Sequence, residues 1–301
     1  MIREFKMSWF KNLGHRIVCF FNRPLSETIT YIIVFFIFCT FALSYLYIFF
    51  WGIIAGLKTH SEIVLSPFNL PKSPQWQNYI DVFRLLNVNG YNFFGMLYNS
   101  LYFSLLGPLI QNMISCMLAY VTNKYKFLGS KFYMLVVTVM LIMPIYGSGG
   151  SAYRLYYNLG LINSYAHIIL AFGGMNMTYL LYHAAFSSVS WSYAEAAFID
   201  GANDYSVFFK IMLPQVMKIF GALFLLAWIA DWNNYSSALI YLPKLPTLAG
   251  GIYLFELDMI YHVRRDILYA AYMITAIPPL ILFAFFNKTL MSNVSLGGIK
   301  E

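Results

Sequence analysis

The sequence predicts an all-α integral membrane protein with six transmembrane helices, on three observations. Sixty per cent of its 301 residues are hydrophobic and ten per cent are charged. Soluble chains carry about 25% charged residues, so a soluble fold of this size could not cover its own surface. Six apolar runs, roughly 28–55, 96–122, 132–149, 161–187, 215–241 and 267–290, approach or exceed the length of a membrane crossing; about 20 residues cross a hydrocarbon core of about 30 Å. No stretch between the runs is large and polar enough to form a soluble domain of its own.

Taken in order, the basic segment 1–27 precedes the first run without a short apolar stretch ending in a small-residue cleavage site. The first run is therefore expected to remain as a helix rather than be removed. A segment containing Pro67, Pro71 and Pro74 follows, so that residues 28–95 form one helix plus an external portion. Five further helices are expected over 96–290, with a short tail at 291–301. The third run is the shortest and contains Pro144, Gly147, Gly149 and Gly150, which predicts a kink or a re-entrant end. Lys and Arg fall unevenly between the two sides. Twelve lie in the N-terminal segment, the loops after the second and fourth runs and the C-terminal part. The other seven (Lys58, Lys72, Arg84, Arg154, Lys244, Arg264, Arg265) lie in the alternate segments. This bias predicts that both termini are cytoplasmic.

Other classes are disfavoured. The net charge of +7 fits membrane orientation better than nucleic-acid binding. Cys19, Cys39 and Cys116 are odd in number and scattered, which argues against a disulfide framework or a zinc site. HExxH, GxSxG and paired acidic motifs are missing, so a polytopic membrane enzyme lacks a catalytic cluster. The aromatic residues, 20% of the chain, suit interface belts and lipid contact rather than a cofactor site.

The connector between the fourth and fifth runs, 190–214, is the most informative polar stretch. Ser192 and Glu195 have the spacing of a capping box, Gly201 is a natural helix stop, and Asn203 or Asp204 suits the start of a second helix reaching Leu213. Pro214 suits the first turn of the fifth span. By local physics alone this is an amphipathic connector at the membrane surface or a docking element. Its residues resemble the EAA loop of permease subunits of bacterial ABC importers. Glu195-Ala196-Ala197, three residues, Gly201, nine residues, then Ile211-Met212-Leu213-Pro214 meet that family's spacing at every position. One departure is Ser190, where the family usually has proline.

Further stretches resemble the smaller permease of carbohydrate importers of the maltose type. They are Asn78-Tyr79, Asn99-Ser100-Leu101, Ala119-Tyr120, Leu159 to Ser164, Trp232 to Tyr235, and the tail Leu296 to Lys300. The resemblance implies a type I ABC importer permease fold in the bacterial cytoplasmic membrane. It implies as partners a homologous second permease, two cytoplasmic ATPase subunits or domains, and an extracytoplasmic sugar-binding protein. It also implies that Glu195, Ala196, Ala197, Asp200, Gly201 and Ala202, with Leu213 and Pro214, form the ATPase-coupling element; the tail is either a second contact or a frayed terminus.

No GxxxxGK[ST] segment is present, so ATP and Mg are expected on the partner ATPase, with no cofactor or metal on this chain and no catalytic residues. Asp231, Trp232, Asn233, Asn234 and Tyr235 interrupt the fifth run, and polar groups in a membrane usually face a bundle interior or a water-filled path. With Asn176 they are candidates for the substrate path; His167 is a weaker one, and interhelical hydrogen bonding is the competing role for each. The alternatives are a permease for a peptide or amino acid and a self-sufficient secondary transporter.

Overall fold

The structure is a computed structural model that describes residues 24–125, 127–143, 149–262 and 264–294. The basic N-terminal residues, Cys19, Lys126, Pro144, Gly147 and the tail Leu296 to Lys300 lie outside the described residues.

Helix α1 (Leu25–Gly56) has 32 residues, and its large side chains from Ile29 to Phe50 are mostly exposed, as a lipid-facing helix requires. Its C-terminal carbonyls are satisfied from a distance. Asn78 Nδ2 donates to the carbonyls of Gly56 (3.0 Å) and Lys58 (2.9 Å), and the Tyr79 hydroxyl donates to that of Ile53 (3.0 Å). Asn78 and Tyr79 sit on α3 (Gln77–Leu85), after the short α2 (His60–Leu65). A capping box opens α2, with Thr59 and Glu62 bonding reciprocally. The buried Lys58 ammonium donates to the carbonyls of Ser66 (3.0 Å) and Pro67 (2.8 Å), fastening the proline-rich segment. An antiparallel hairpin, β1 (Asn87–Val88) and β2 (Tyr91–Asn92), turns through Asn89 and Gly90, both at positive φ.

Helix α4 (Phe93–Lys124) and helix α9 (Asp204–Trp232) are the two long rods of the interior. Each contains a π turn, Tyr102–Leu106 and Phe208–Met212, placed two residues before a proline, Pro108 and Pro214. A proline cannot donate to the carbonyl four residues back, and its ring crowds that carbonyl. The wider π turn accommodates both problems. Pro214 therefore does not start a helix as the sequence suggested; the helix is continuous through it from Asp204.

Between these rods run α5 (Ser130–Ile142), α6 (Gly149–Asn158), a 3-10 helix (Tyr165–Phe172), α7 (Met177–Ser187) and α8 (Ser192–Ile199). After α9 come α10 (Tyr235–Tyr241), α11 (Leu248–His262) and α12 (Arg265–Val294). The sequence reading treated 242–266 as an external loop. In fact α11 buries Leu248, Ile252, Phe255 and Met259, a stripe at helical spacing, against α10, α4 and α12.

Among the described residues four helices are long and apolar enough to cross a membrane: Glu27–Gly56, Phe93–Lys124, Asp204–Trp232 and Arg265–Phe285. The 3-10 helix and α7, bent by 47°, make a fifth if taken as one broken span. The third apolar run of the six-span expectation corresponds to α5, whose 13 residues reach only about 20 Å at 1.5 Å per residue.

The buried residues form two clusters rather than one. The first joins α3, the start of α4, the end of α9, α11 and α12 around Met96, Trp228 and Ile267. The second joins the end of α4, α7, α8 and the start of α9 around Tyr120, Tyr182 and Met212. The long rods α4 and α9 thus run from one core to the other.

Candidate functional site: an exposed connector and a polar cavity

The connector is two helices joined by a tight stop. Gly201 has φ +83°, and the Ala202 and Gly201 amides bond to the carbonyls of Ala197 (2.9 Å) and Phe198 (3.0 Å), which is a Schellman termination of α8. Only glycine adopts that backbone without strain, so the residue is required by geometry before any partner is considered. A Cβ built there meets nothing within 4 Å, so the stop also lies in open space. Asn203 Oδ1 then accepts from the Ser206 amide at 2.8 Å and caps α9.

The expected capping box at the start of α8 is not formed. Trp191 is already helical and Ser192 lies inside the helix, while Ser190 Oγ takes the Ser192 amide at 3.3 Å. Ser190, the departure from the family proline, thus supplies the start of the helix itself. Glu195 is consequently exposed and unconstrained by a cap, as are Ala196 and Asp200 beside it. Ala197 and Leu213 are buried, and with Ala194, Val207 and Phe208 they seat the connector on the second core; Ala202 is half-buried and Pro214 exposed. The predicted coupling set therefore divides into an outward face and an anchoring face. Tyr193, Ile199 and Tyr205 also project, Ile199 being 86% exposed; they belong to the outward face and were missed in the sequence.

Hydrogen bonds join the connector to the end of α4. The Tyr125 hydroxyl donates to Asp204 Oδ1 at 2.5 Å, and Lys124 Nζ donates to the Val189 carbonyl at 2.6 Å. Burial, and then the bond to the Asp204 carboxylate, push the Tyr125 phenol above its ordinary range, so it remains a donor at neutral pH. Further along, Thr122 Oγ1 pairs with the Tyr179 hydroxyl at 2.8 Å and the Tyr182 hydroxyl donates to Asn112 Oδ1 at 2.9 Å. Each end of the α4–α7 contact is closed by a satisfied polar pair.

At the opposite end of α9 the helix breaks after Trp232, as expected. Asn234 caps α10 by accepting from the Ser237 amide at 3.0 Å, and Asn233 Nδ2 bonds back to the Ile229 carbonyl at 2.8 Å. Tyr235 stacks on Tyr253 with centroids 4.9 Å apart. The break opens a cavity of about 250 Å³ bounded by α4, the 3-10 helix, α9 and α10. Asp231, Trp232 and Asn234 line it, together with His167 and with Ser100, Ser104 and Gln111 of α4. Asn233 and Tyr235 do not line this cavity, and Asn176 is an N-cap of α7, accepting from the Tyr179 amide at 3.0 Å.

Ser104 and Gln111 were not singled out in the sequence. The available signal was the stripe Ser100, Ser104, Gly107, Gln111, spaced four, three and four residues apart on one face of a span. Ser104 Oγ and His167 Nδ1 are buried without a hydrogen-bond partner among the described residues. A buried polar atom left so costs about 1–3 kcal/mol. Among the described residues no group of three or more His, Cys, Asp or Glu is placed to hold a metal ion.

With two long rods, a projecting connector and a polar cavity described, comparison with known proteins decides the family. Residues 111–295 match the family described as binding-protein-dependent transport system inner membrane component. The chain belongs to this family. The permease is 27% identical over 266 residues to the arabinooligosaccharides transport system permease protein AraQ of Bacillus subtilis, covering 87% of this chain and 93% of that protein. It is 25% identical to the diacetylchitobiose uptake system permease protein NgcG of Streptomyces coelicolor, covering 82% of each.

Its fold matches a chain of a bacterial ABC transporter involved in the import of the acidic polysaccharide alginate, with a TM-score of 0.74 at 21% identity over 88% of this chain and 98% of the other. A second match, with a TM-score of 0.54 at 16% identity over 88% and 96%, is to an alginate transporter in complex with an alginate pentasaccharide-bound periplasmic protein. The permease is thus a component of the inner membrane, mostly helical, with the fold of an ABC importer permease.

Proposed function

We propose that this permease forms, with a homologous second permease, the translocation path of an ATP-driven importer for an oligosaccharide handed over by an extracytoplasmic binding protein. The observation that carries the coupling part is the connector. Its anchoring face is buried and hydrogen-bonded, while Tyr193, Glu195, Ala196, Ile199, Asp200, Gly201 and Tyr205 present an outward face with a glycine stop in open space. Such a face suits a cleft on a cytoplasmic ATPase, which binds ATP and Mg in place of this chain. ATP-driven closure of the ATPases would move the connector and, through the second core, both long rods. Closure then shifts an inward–outward equilibrium by its differential affinity for the two states.

The oligosaccharide part rests on the relatives: those named above serve arabinooligosaccharides and diacetylchitobiose. A peptide or amino acid has no counterpart among the relatives named here. The topology that fits is six crossings with both termini cytoplasmic, α5 and the residues after it forming the third. The excess of Lys and Arg beside the connector supports that orientation.

The test is Gly201→Val in the complete transporter reconstituted in vesicles. Uptake is expected to fall more than tenfold while ATP hydrolysis continues and membrane insertion is unchanged. Gly201→Asn separates contact from conformation, because asparagine tolerates the left-handed backbone yet fills the same open space. Uncoupling by both variants assigns the effect to contact. Wild-type uptake by Gly201→Val would overturn the coupling role.

A further inference from the structure

We infer that the cavity at the break of α9 is a subsite for one neutral sugar ring and that it excludes uronates. This rests on the oligosaccharide reading and adds a specificity to it. The volume, about 250 Å³, lies just below the roughly 300–1,000 Å³ of ordinary ligand pockets and equals about eight water volumes, enough to seat a single ring.

The chemistry of the walls fits a sugar. Ser104 is 3% exposed, and its hydroxyl has no partner among the described residues; His167 Nδ1 is in the same position from the facing 3-10 helix. Both residues line the cavity, so ring hydroxyls can satisfy what the protein does not. Asp231 supplies a carboxylate, which accepts from two donors at once, and Gln111 both donates and accepts. Phe103 and Trp232 supply aromatic faces for the C–H side of a pyranose or furanose. Two rings on the lining are held in place. Phe103 lies parallel to Tyr165 (centroids 6.0 Å, 7°), and the His167 ring stacks on Tyr241 (5.4 Å, 27°).

The exclusion follows from charge. Asp231 lies exposed on the lining and, among the described residues, neither lysine nor arginine does, so a uronate carboxylate would meet a like charge with no counter-ion. A fold shared with a permease of an acidic-polysaccharide importer does not carry that specificity with it; the side chains on this cavity set it.

The test uses the full-length chain in lipid nanodiscs, titrated with neutral methyl glycosides (glucoside, galactoside, arabinoside, N-acetylglucosaminide) and with methyl glucuronide and galacturonide. Quenching of Trp232 fluorescence is the readout, and a Trp232→Phe control locates the signal. At least one neutral glycoside is expected to bind with half-saturation tenfold or more below either uronide. Asp231→Asn should narrow that gap below threefold. Ser104→Ala should raise the half-saturation three- to tenfold with no fall in melting temperature, which a merely structural serine would not do.

Absence of binding by every neutral glycoside overturns the assignment, as does equal binding of uronides by the wild type or unchanged behaviour in both variants. Uptake by the complete transporter separates the two levels. If it imports an oligosaccharide while the cavity binds no ring, the subsite alone fails; if it imports none, the functional reading fails and the subsite with it.

Discussion

The two ends of α9 are built on opposite terms. At its start, the connector end, every named polar group has a partner: Tyr125 with Asp204, Lys124 with Val189, Tyr182 with Asn112. At its finish, the cavity end, Ser104 Oγ, His167 Nδ1 and Trp228 Nε1 are buried without partners among the described residues. In a membrane the alternative to an internal hydrogen bond is hydrocarbon rather than water, so the second condition is the costly one. The difference teaches that one end is tied and the other is not. A satisfied polar network ties the connector to α4 and α7, as the proposed lever needs. Of the unsatisfied groups, Ser104 and His167 line the cavity, where the proposed subsite would satisfy them.

Four substitutions sharpen that contrast, each read as a change in the thermal unfolding of the purified chain in detergent or nanodiscs. Phe186→Ala, fully buried in the connector-end core, should destabilise by about 3–5 kcal/mol through the cavity it leaves. Tyr182→Phe should cost about 1–2 kcal/mol, because Asn112 Oδ1 stays buried and loses its donor. Tyr125→Phe, half-buried at the edge of the connector, should cost about 1 kcal/mol and loosen the connector at Asp204, seen as faster amide exchange over 203–207. Ser104→Ala, at the cavity end, should not destabilise and can relieve up to about 1–3 kcal/mol, since no protein hydrogen bond is lost and a buried hydroxyl without a partner is removed. A cost for Ser104→Ala matching that for Tyr182→Phe would remove the contrast between the two ends.

Several residues that carried the family resemblance turn out to be backbone caps. Asn99 donates to the Pro246 carbonyl at 3.0 Å and Ser100 accepts from the Leu248 amide at 2.6 Å, which seats the start of α11. Gly160 and Asn163 both adopt positive φ, and Asn163 Oδ1 accepts from the Lys244 amide at 2.7 Å, tying the turn after α6 to the segment after α10. Asn78 and Asn234 are caps as well. Their pattern identifies the fold because it specifies where helices end. A capping role does not keep a residue off the cavity, since Ser100 and Asn234 both line it; Asn176 caps α7 and does not line it.

Composition and apolar run length determined by themselves that the chain lies in a membrane as helices, because lipid leaves backbone groups no partner outside their own segment. The spacing from Glu195 to Pro214 determined the family, and Gly201 as a helix stop followed from the chirality of the backbone. Only the tertiary structure decided which side of the connector faces outward, since Ala196 and Ala197 are identical in sequence terms and differ only in what packs beneath them. It also decided that α11 is a buried helix, that Ser190 and not Ser192 supports the start of α8, and that Ser104, His167 and Asp231 meet around one cavity. Those residues come from three separate segments, and no local rule brings them together. Their meeting depends on how α4, the 3-10 helix and α9 cross.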